Sequence, residues 1–476
     1  MILTRHPAIG GHEVPGNAGH HAVINPFGLT EIGRVSYADA RQMADAVEIA
    51  HTTFRSWRRS PARERSDILR KTSEGIAARK EELARQIALE AGKPIEYARG
   101  EVDRAVFTFA SASQTAMHAA EGYVLDMSVS PTGVGRTGRY RYFPIGVIAA
   151  VTPFNFPLNL VAHKVAPAIA AGNTVVLKPA LQTPLTSFLL FEILRDAGLP
   201  DGVLNVVPCN NDIAEAFVRN DKIAMLSFTG SAAVGWKLKS IVGKARVTLE
   251  LGGNGAIVVD DVRDRNALIK TLTVAGFNYA GQICIALQTL YVQRRWYDTI
   301  LEDLVASASH AIVGDPLDEH TLVSPMISAA AAEKVEQWIA EALAGGAIRH
   351  SGEFRAPNWI TPTILTNVPR DATIYTEEAF SPIVIVEPYD ELDEVIRIIN
   401  SSKYGLQAGL FSNDIGVVEK VYNEIEVGGL IVNDANSYRL DTMPYGGTKA
   451  SGFGREGVLF AMREMSEIKV MVTKYN

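Results

Sequence analysis

Val147-Ile148-Ala149-Ala150-Val151 is an apolar run of strand length. Residues 159–171 follow with helical spacing, Gly172-Asn173 turns the chain, and Thr174-Val175-Val176-Leu177 is a second apolar run. Short apolar runs without alternation belong to strands buried on both faces. Strand, helix, turn, strand in that order is a right-handed crossover of a parallel sheet. The alternation continues outward. Residues 186–197 read as helix, Val203-Leu204-Asn205-Val206-Val207 as strand, residues 213–219 as helix, and Met225-Leu226-Ser227-Phe228 as the next strand. This is an open α/β domain, whose ligands bind beyond the carboxyl ends of the strands.

A second α/β block runs from about residue 256 to about 432. Its clearest strands are Ile257-Val258-Val259, Thr289-Leu290-Tyr291-Val292 and Ile383-Val384-Ile385-Val386. Ahead of the first block, residues 39–97 are helical, with Asp39 as an N-cap and Gly92 and Pro94 ending the stretch. Residues 100–120 read as another helix. Two segments break the alternation. Residues 123–142 read as a hairpin with exposed hydrophobes, and Ile468-Lys469-Val470-Met471-Val472 is a strand without a local partner. They are expected to pair with each other or with a second subunit.

The chain has 476 residues, 47% hydrophobic and 21% charged, which is globular composition with room for two or three domains. The net charge is -7 and the basic residues are dispersed, so no nucleic-acid partner is expected. No apolar run reaches the eighteen or so residues that span a bilayer. Residues 1–28, rich in His, Gly and Pro, do not read as a secretory leader. Two cysteines make no disulfide framework, and a reducing cytoplasm is the expected location. No metal-ligand spacing occurs, so no metal is expected.

Five places carry chemistry. Cys284, in Gly281-Gln282-Ile283-Cys284-Ile285-Ala286, is one of only two cysteines, and a thiolate among small neighbours is a carbon nucleophile. A buried hydrophobic cysteine is the alternative. Asn155, in Thr152-Pro153-Phe154-Asn155-Phe156-Pro157, is an uncharged donor suited to an oxyanion, or else a turn former. Lys178, in Lys178-Pro179-Ala180, can reach a ribose or a phosphate, or stay solvated. Phe228-Thr229-Gly230-Ser231-Ala232-Ala233-Val234-Gly235 leads from a strand into a helix, where free amides favour a pyrophosphate; it lacks the full dinucleotide fingerprint. Glu250, in Leu249-Glu250-Leu251-Gly252-Gly253, is a carboxylate between leucines; desolvation would make it a base, while a surface glutamate is the alternative.

Together with Glu377-Glu378-Ala379-Phe380-Ser381-Pro382 and Pro444-Tyr445-Gly446-Gly447, these stretches resemble the aldehyde dehydrogenase superfamily over essentially the whole chain. The resemblance implies an open Rossmann-like cofactor domain (residues 1–121 and 145–253), an α/β catalytic domain (254–446) and a small β oligomerisation arm (122–144 and 456–476). It implies that Cys284 attacks an aldehyde, that Asn155 and the Cys284 N–H hold the oxyanion, and that Glu250 activates the water that cleaves the thioester. Lys178 and Glu378 would bind the two riboses of the dinucleotide and Phe380 would pack beside its nicotinamide. Thr152, Pro153, Phe154, Leu181, Phe228, Thr229, Gly230, Ser231, Val234, Leu251 and Gly252 would complete the cofactor site. A homodimer or homotetramer would form through the arm.

The chain departs from the family pattern twice. Leu181 stands where many NAD-dependent members have a glutamate. Its loss removes a repulsion toward a 2'-phosphate, yet no arginine follows to attract one; NAD is the first expectation and NADP stays open. Ser381 stands where the family usually has glycine. For the substrate, Asn436-Ser437-Tyr438-Arg439-Leu440-Asp441 precedes Tyr445. A guanidinium at Arg439, joined by Arg104, favours a short hydroxy-, carboxy- or sulfo-aldehyde of the lactaldehyde or semialdehyde type, with Tyr445 as a third residue on the substrate side. The alternative is that Arg439 pairs with Asp441 or another acid. Three other readings are an enzyme passing the thioester to coenzyme A, which Glu250 argues against, a Cys–His hydrolase, and a binding protein that kept only the fold.

Overall fold

The computed structural model describes residues 3–475. An eight-stranded sheet has the order Gly452–Phe453, Arg246–Glu250, Ile223–Thr229, Val147–Val151, Thr174–Lys178, Leu204–Val206, Ala8–Ile9, His12–Glu13. Its central five strands are parallel and the edge strands antiparallel. From the Val147–Val151 strand the chain first adds strands on one side and then, at Ile223–Thr229, on the other. That reversal opens a crevice beyond the strand ends. The register there is level, with Val151 opposite both Lys178 and Phe228, and Thr229 opposite Glu250.

Helix Asn159–Ala171 is buried along its whole length, which the run of apolar residues with few charges requires. It packs between the sheet and helix Ile95–Ala116. The expected helical stretch from residue 39 is three helices, Ala40–Trp57, Ala62–Ala78 and Lys80–Ala91. Pro61, which cannot donate within a helix, ends the first, and Arg79, at φ -105°, breaks the second from the third. Asp39 caps the first in a reciprocal box with Gln42 (2.8 and 3.1 Å). The helix expected from residue 100 begins at Ile95, directly after Pro94. Residues 3–36, in which no strand was expected, hold five short ones.

The second sheet has the order Ile348–Ser351, Thr363–Thr366, Ile383–Tyr389, Leu287–Gln293, Gly255–Val259, Gln407–Phe411, Gly429–Val432, parallel except at the first pair. A separate core of aliphatic side chains packs around it. The two segments without local partners pair with each other: Ser466–Lys474 runs antiparallel to Arg136–Pro144, which pairs with Gly122–Leu125. Val124, Val470 and Val472 are exposed on this ribbon. The preceding helix, Val458–Glu464, does not belong to the ribbon: Val458 and Met462 are buried in the core of the first domain. Among the described residues no helix is long and apolar enough to cross a membrane.

Candidate active site

Parallel strands bring Thr152, Lys178, Thr229 and Glu250 to one rim, because each stands at or just past its strand's carboxyl end. The Thr152–Pro157 turn follows at once. There the buried Asn155 amide donates to the Gln282 carbonyl at 3.0 Å, tying the first sheet to the loop that carries Cys284.

That loop is strained. Tyr279, Ala280 and Gly281 are all left-handed, at φ 53°, 52° and 64°. For the two non-glycine residues this costs about 1 kcal/mol or more each, so the surroundings must enforce it. They do. The Tyr279 hydroxyl donates to Ala91 O (3.1 Å), its N–H to Leu322 O (3.0 Å), and the fully buried Gln282 side chain accepts from Ile327 N–H (2.9 Å). A Cβ on Gly281 would stand 2.1 Å from the Ser381 carbonyl oxygen, so only glycine lets these two loops touch. Ser381, in place of the family's glycine, is accommodated here with Glu378 and Phe380 still beside the cleft.

Cys284 lies where two cavities meet. The first, of about 350 Å³, runs from Gly230 and Ser231 past Leu251 and Gly252 to Glu378 and Phe380. Asn155, Glu250, Pro153, Phe154 and Thr229 also line it. The second, of about 260 Å³, is lined by Arg104, Arg439 and Tyr445 together with Phe156, Asn159 and Lys93. Cys284 and Leu160 are common to both. Five expected residues lie outside the first cavity's lining. Thr152 and Lys178 sit on the rim, Phe228 supports Gly230 from beneath, Leu181 is half-buried in the bend after Lys178, and Val234 is exposed on helix Ala232–Ile241.

Burial governs the charges. It pushes the Cys284 thiol up to about 11, against a hydrogen bond from the Tyr445 hydroxyl (3.2 Å) and the Arg439 cation. It raises Glu250 well above the usual carboxyl range, helped by the negative charge of Glu456. Neither Glu250 oxygen has a hydrogen-bond partner among the described residues, so both are free to meet a ligand or water. Gly446 makes room for it: a Cβ there would stand 2.8 Å from Glu250 Oε1. Burial also lifts Glu378 to about 7, opposed by the Gly253 N–H at 3.3 Å and by the Lys334 cation. A Cβ on Gly252 would fall 1.9 Å from that carboxyl, which therefore rests on bare backbone. Lys178 is buried and pushed down by that burial, and among the described residues no carboxylate acts on its ammonium.

Behind Glu250 lies a polar network in which sequence reasoning named Arg104, Arg439, Asp441 and Thr229 but neither Lys164, His163 nor Glu456. Lys164 donates to Glu456 (2.9 Å) and Thr229 (2.7 Å), and Arg439 donates to Glu456 (2.9 Å). Burial alone would raise Glu456, but the Lys164 and Arg439 cations outweigh it and hold Glu456 well below the usual range. Arg439 therefore pairs with Glu456. Asp441 instead receives Arg104 (2.6 Å), His163 (2.8 Å) and Asn159 (3.1 Å). The only advance signal for Glu456 is its place after the glycine-rich Gly452-Phe453-Gly454-Arg455. That stretch pairs with the strand carrying Glu250.

A thiol between two cavities, one edged by strand ends and the other by cations, suits carbonyl chemistry beside a bound nucleotide. The sequence profile of the aldehyde dehydrogenase family matches residues 14–471. This chain belongs to the aldehyde dehydrogenase family. The NAD(P)-dependent oxidation of aldehydes is that family's reaction. A 3-sulfolactaldehyde dehydrogenase of Priestia aryabhattai is 42% identical over 455 residues, 94% of each chain. A lactaldehyde dehydrogenase of Methanocaldococcus jannaschii is 38% identical over 94% of this chain and 96% of its own. Among solved structures, aldehyde dehydrogenase 21 from Physcomitrella patens, in complex with the reaction product succinate, superposes with a TM-score of 0.97. It is 38% identical and covers 100% of this chain and 99% of its own. A glyceraldehyde-3-phosphate dehydrogenase of M. jannaschii complexed with NADP has a TM-score of 0.91 at 38% identity, over 95% and 99%. The aldehyde dehydrogenase residues present here fit a dinucleotide. A buried ammonium lacking a carboxylate, a carboxyl lying on glycine backbone and a bare Gly230 turn are each complementary to hydroxyls or phosphate.

Proposed function

We propose that this aldehyde dehydrogenase oxidises a short polar or acidic aldehyde, with Cys284 as the nucleophile, Asn155 as the oxyanion donor and Glu250 as the base. The observation that carries the reading is the position of Cys284 at the meeting of a cavity that runs from the Gly230 turn to Glu378 and a cavity edged by two arginines. The Cys284 thiolate adds to the aldehyde carbon, and the carbonyl oxygen becomes an oxyanion. Asn155 Nδ2 and the Cys284 N–H steady it. A bound NAD(P)+ would supply the hydride acceptor, and loss of hydride from the Cys284-bound carbon would leave it as a thioester. Glu250 then takes a proton from water as its oxygen attacks the thioester, and the acid and the Cys284 thiolate are released. Lys178 and Glu378 would hold the two riboses and Gly230 and Ser231 the pyrophosphate.

The acidic side of the substrate reading rests on Arg439 and Arg104. Each already has a carboxylate partner, but Arg439 Nε is buried with no acceptor among the described residues. A sulfonate or carboxylate on the aldehyde would supply one. The names of the relatives, 3-sulfolactaldehyde and lactaldehyde dehydrogenases, support the same class. NAD is the first choice of dinucleotide and NADP the alternative, because Leu181 neither repels nor attracts a 2'-phosphate. We assign residues 122–144 and 466–475 to an oligomerisation arm, joining a cofactor domain and a catalytic domain in a homo-oligomer. Two free cysteines support a cytoplasmic location.

Initial rates over a panel of sulfo-, carboxy-, hydroxy- and alkyl-aldehydes, with NAD and with NADP, test this. Cys284→Ala is expected to abolish turnover while still binding dinucleotide. Arg104→Ala is expected to lower kcat/KM for an acidic aldehyde about tenfold, roughly 1.4 kcal/mol, and to spare an alkyl one. An unchanged preference in both Arg104→Ala and Arg439→Ala would overturn the substrate reading.

A further inference from the structure

The only polar side chain hydrogen-bonded to the Cys284 sulfur, among the described residues, is the Tyr445 hydroxyl at 3.2 Å. Beside it, Ile285 and Leu406 form a small apolar cluster with Tyr445, and Ile283 and the thiol lie against it, while Arg439 and Glu250 act on the sulfur through their charge without a hydrogen bond. In such a setting a thiolate gains little from solvent, and one donor changes its stability directly.

We propose that Tyr445 is a further catalytic residue, whose hydroxyl donates a hydrogen bond to the Cys284 thiolate and aims it into the aldehyde cavity, with Arg439 as the cation that holds the phenol in place. This rests on Cys284 being the nucleophile.

The phenol is fixed on every side. Its residue exchanges both backbone hydrogen bonds with Glu456, Tyr445 N–H to Glu456 O at 3.1 Å and Glu456 N–H to Tyr445 O at 2.7 Å. The Arg439 guanidinium lies 3.7 Å from the centre of its ring, and that guanidinium is itself anchored on the Glu456 carboxylate at 2.9 Å. One glutamate therefore positions both the tyrosine and the cation stacked on it. Tyr445 is almost wholly buried, and burial keeps its hydroxyl protonated far above neutral pH. The group is a donor and not a base. It stands on the aldehyde side, since Tyr445 lines the second cavity and not the first. The hydrogen bond therefore fixes the sulfur on the side from which the aldehyde arrives. A phenylalanine would keep the ring, the stacking and the backbone pairing, and would lose the donor alone.

The test is the pH dependence of iodoacetamide alkylation in the full-length, ligand-free enzyme. The other thiol, Cys209, is fully buried and lines neither cavity, whereas Cys284 opens onto both, so the fast phase reports Cys284, and its loss in Cys284→Ala confirms the assignment. Tyr445→Phe is expected to move the alkylation midpoint up by about one pH unit, and so to slow labelling about tenfold at neutral pH. Site-specific 3-fluorotyrosine at 445, a stronger donor of the same shape, is expected to move the midpoint down. A midpoint unchanged in both variants, or shifted the same way in both, overturns the proposal. Failure of the underlying reading looks different: Cys284→Ala would then keep its turnover whatever Tyr445 does.

Discussion

Glu378 carries a carboxyl that burial lifts from its ordinary 4.5 to about 7. Its folded-state pKa is raised, so the folded protein binds that proton more tightly than the unfolded chain does. The resulting stability is fully present below about pH 4.5 and is lost as pH rises through 7, a span worth about 3 kcal/mol. Glu378→Gln is therefore expected to flatten the fall in unfolding temperature between these limits, measured by scanning fluorimetry without ligand. The same variant is expected to raise the KM for dinucleotide about tenfold if the carboxyl holds a ribose. Glu250 is raised in the same direction and has no hydrogen bond to lose. Glu250→Gln is expected to leave the fold's stability at neutral pH equal or higher, while thioester cleavage slows by at least about a hundredfold. Rapid-quench kinetics would then show a single burst of NADH formation. These residues were visible in the sequence because their motifs are short and contiguous. Lys164 and Glu456 were not visible: they meet across 292 residues, and nothing in the spacing of either announces the contact.

The turn ahead of Cys284 and the helix facing it use glycine in opposite ways. At Gly281 the backbone is left-handed and touches the Ser381 carbonyl. Gly281→Ala is expected to destabilise the protein by about 2 kcal/mol or more in denaturant titration and to abolish activity. Gly100, inside helix Ile95–Ala116, has open space where a Cβ would go and an ordinary helical backbone. Gly100→Ala is expected to stabilise by about 0.5–1 kcal/mol. Strands buried on both faces were legible because their apolar runs have no other use, and the crossover order fixed which ends would meet. The left-handed turn was not legible. Tyr279 and Ala280 have no local preference for that conformation, and contacts from Ala91, Leu322 and Ile327, all distant in sequence, impose it. The helix boundaries moved for a simpler reason: the apolar spacing runs straight past Pro61, which opens the second helix, and Pro94, which marks the end of one stretch, also opens the next.

Across the whole molecule, the three-stranded ribbon stands apart from both cores, with Val470 56% and Val472 48% exposed on its outer strand. An apolar strand with a free edge calls for a partner. If the ribbon joins subunits as proposed, a double change, Val470→Glu with Val472→Glu, is expected to give monomers in light scattering where the parent protein gives a larger particle, and to leave the circular dichroism spectrum unaltered. The pairing of the two ribbon segments could be read from the sequence because neither had a neighbour to join. That the helix before the last strand packs into the first core could not, since its apolar face suits either site. The two cavities have a consequence beyond the single turnover. They open onto one sulfur from different sides, so a ligand in one need not leave for a ligand to enter the other. Two weak fragments, one seated against Phe380 and one against Arg439, could be tethered past Cys284 into one molecule. The linked compound would bind at the effective concentration set by its tether, and a dimension that neither fragment can sense alone would govern its selectivity.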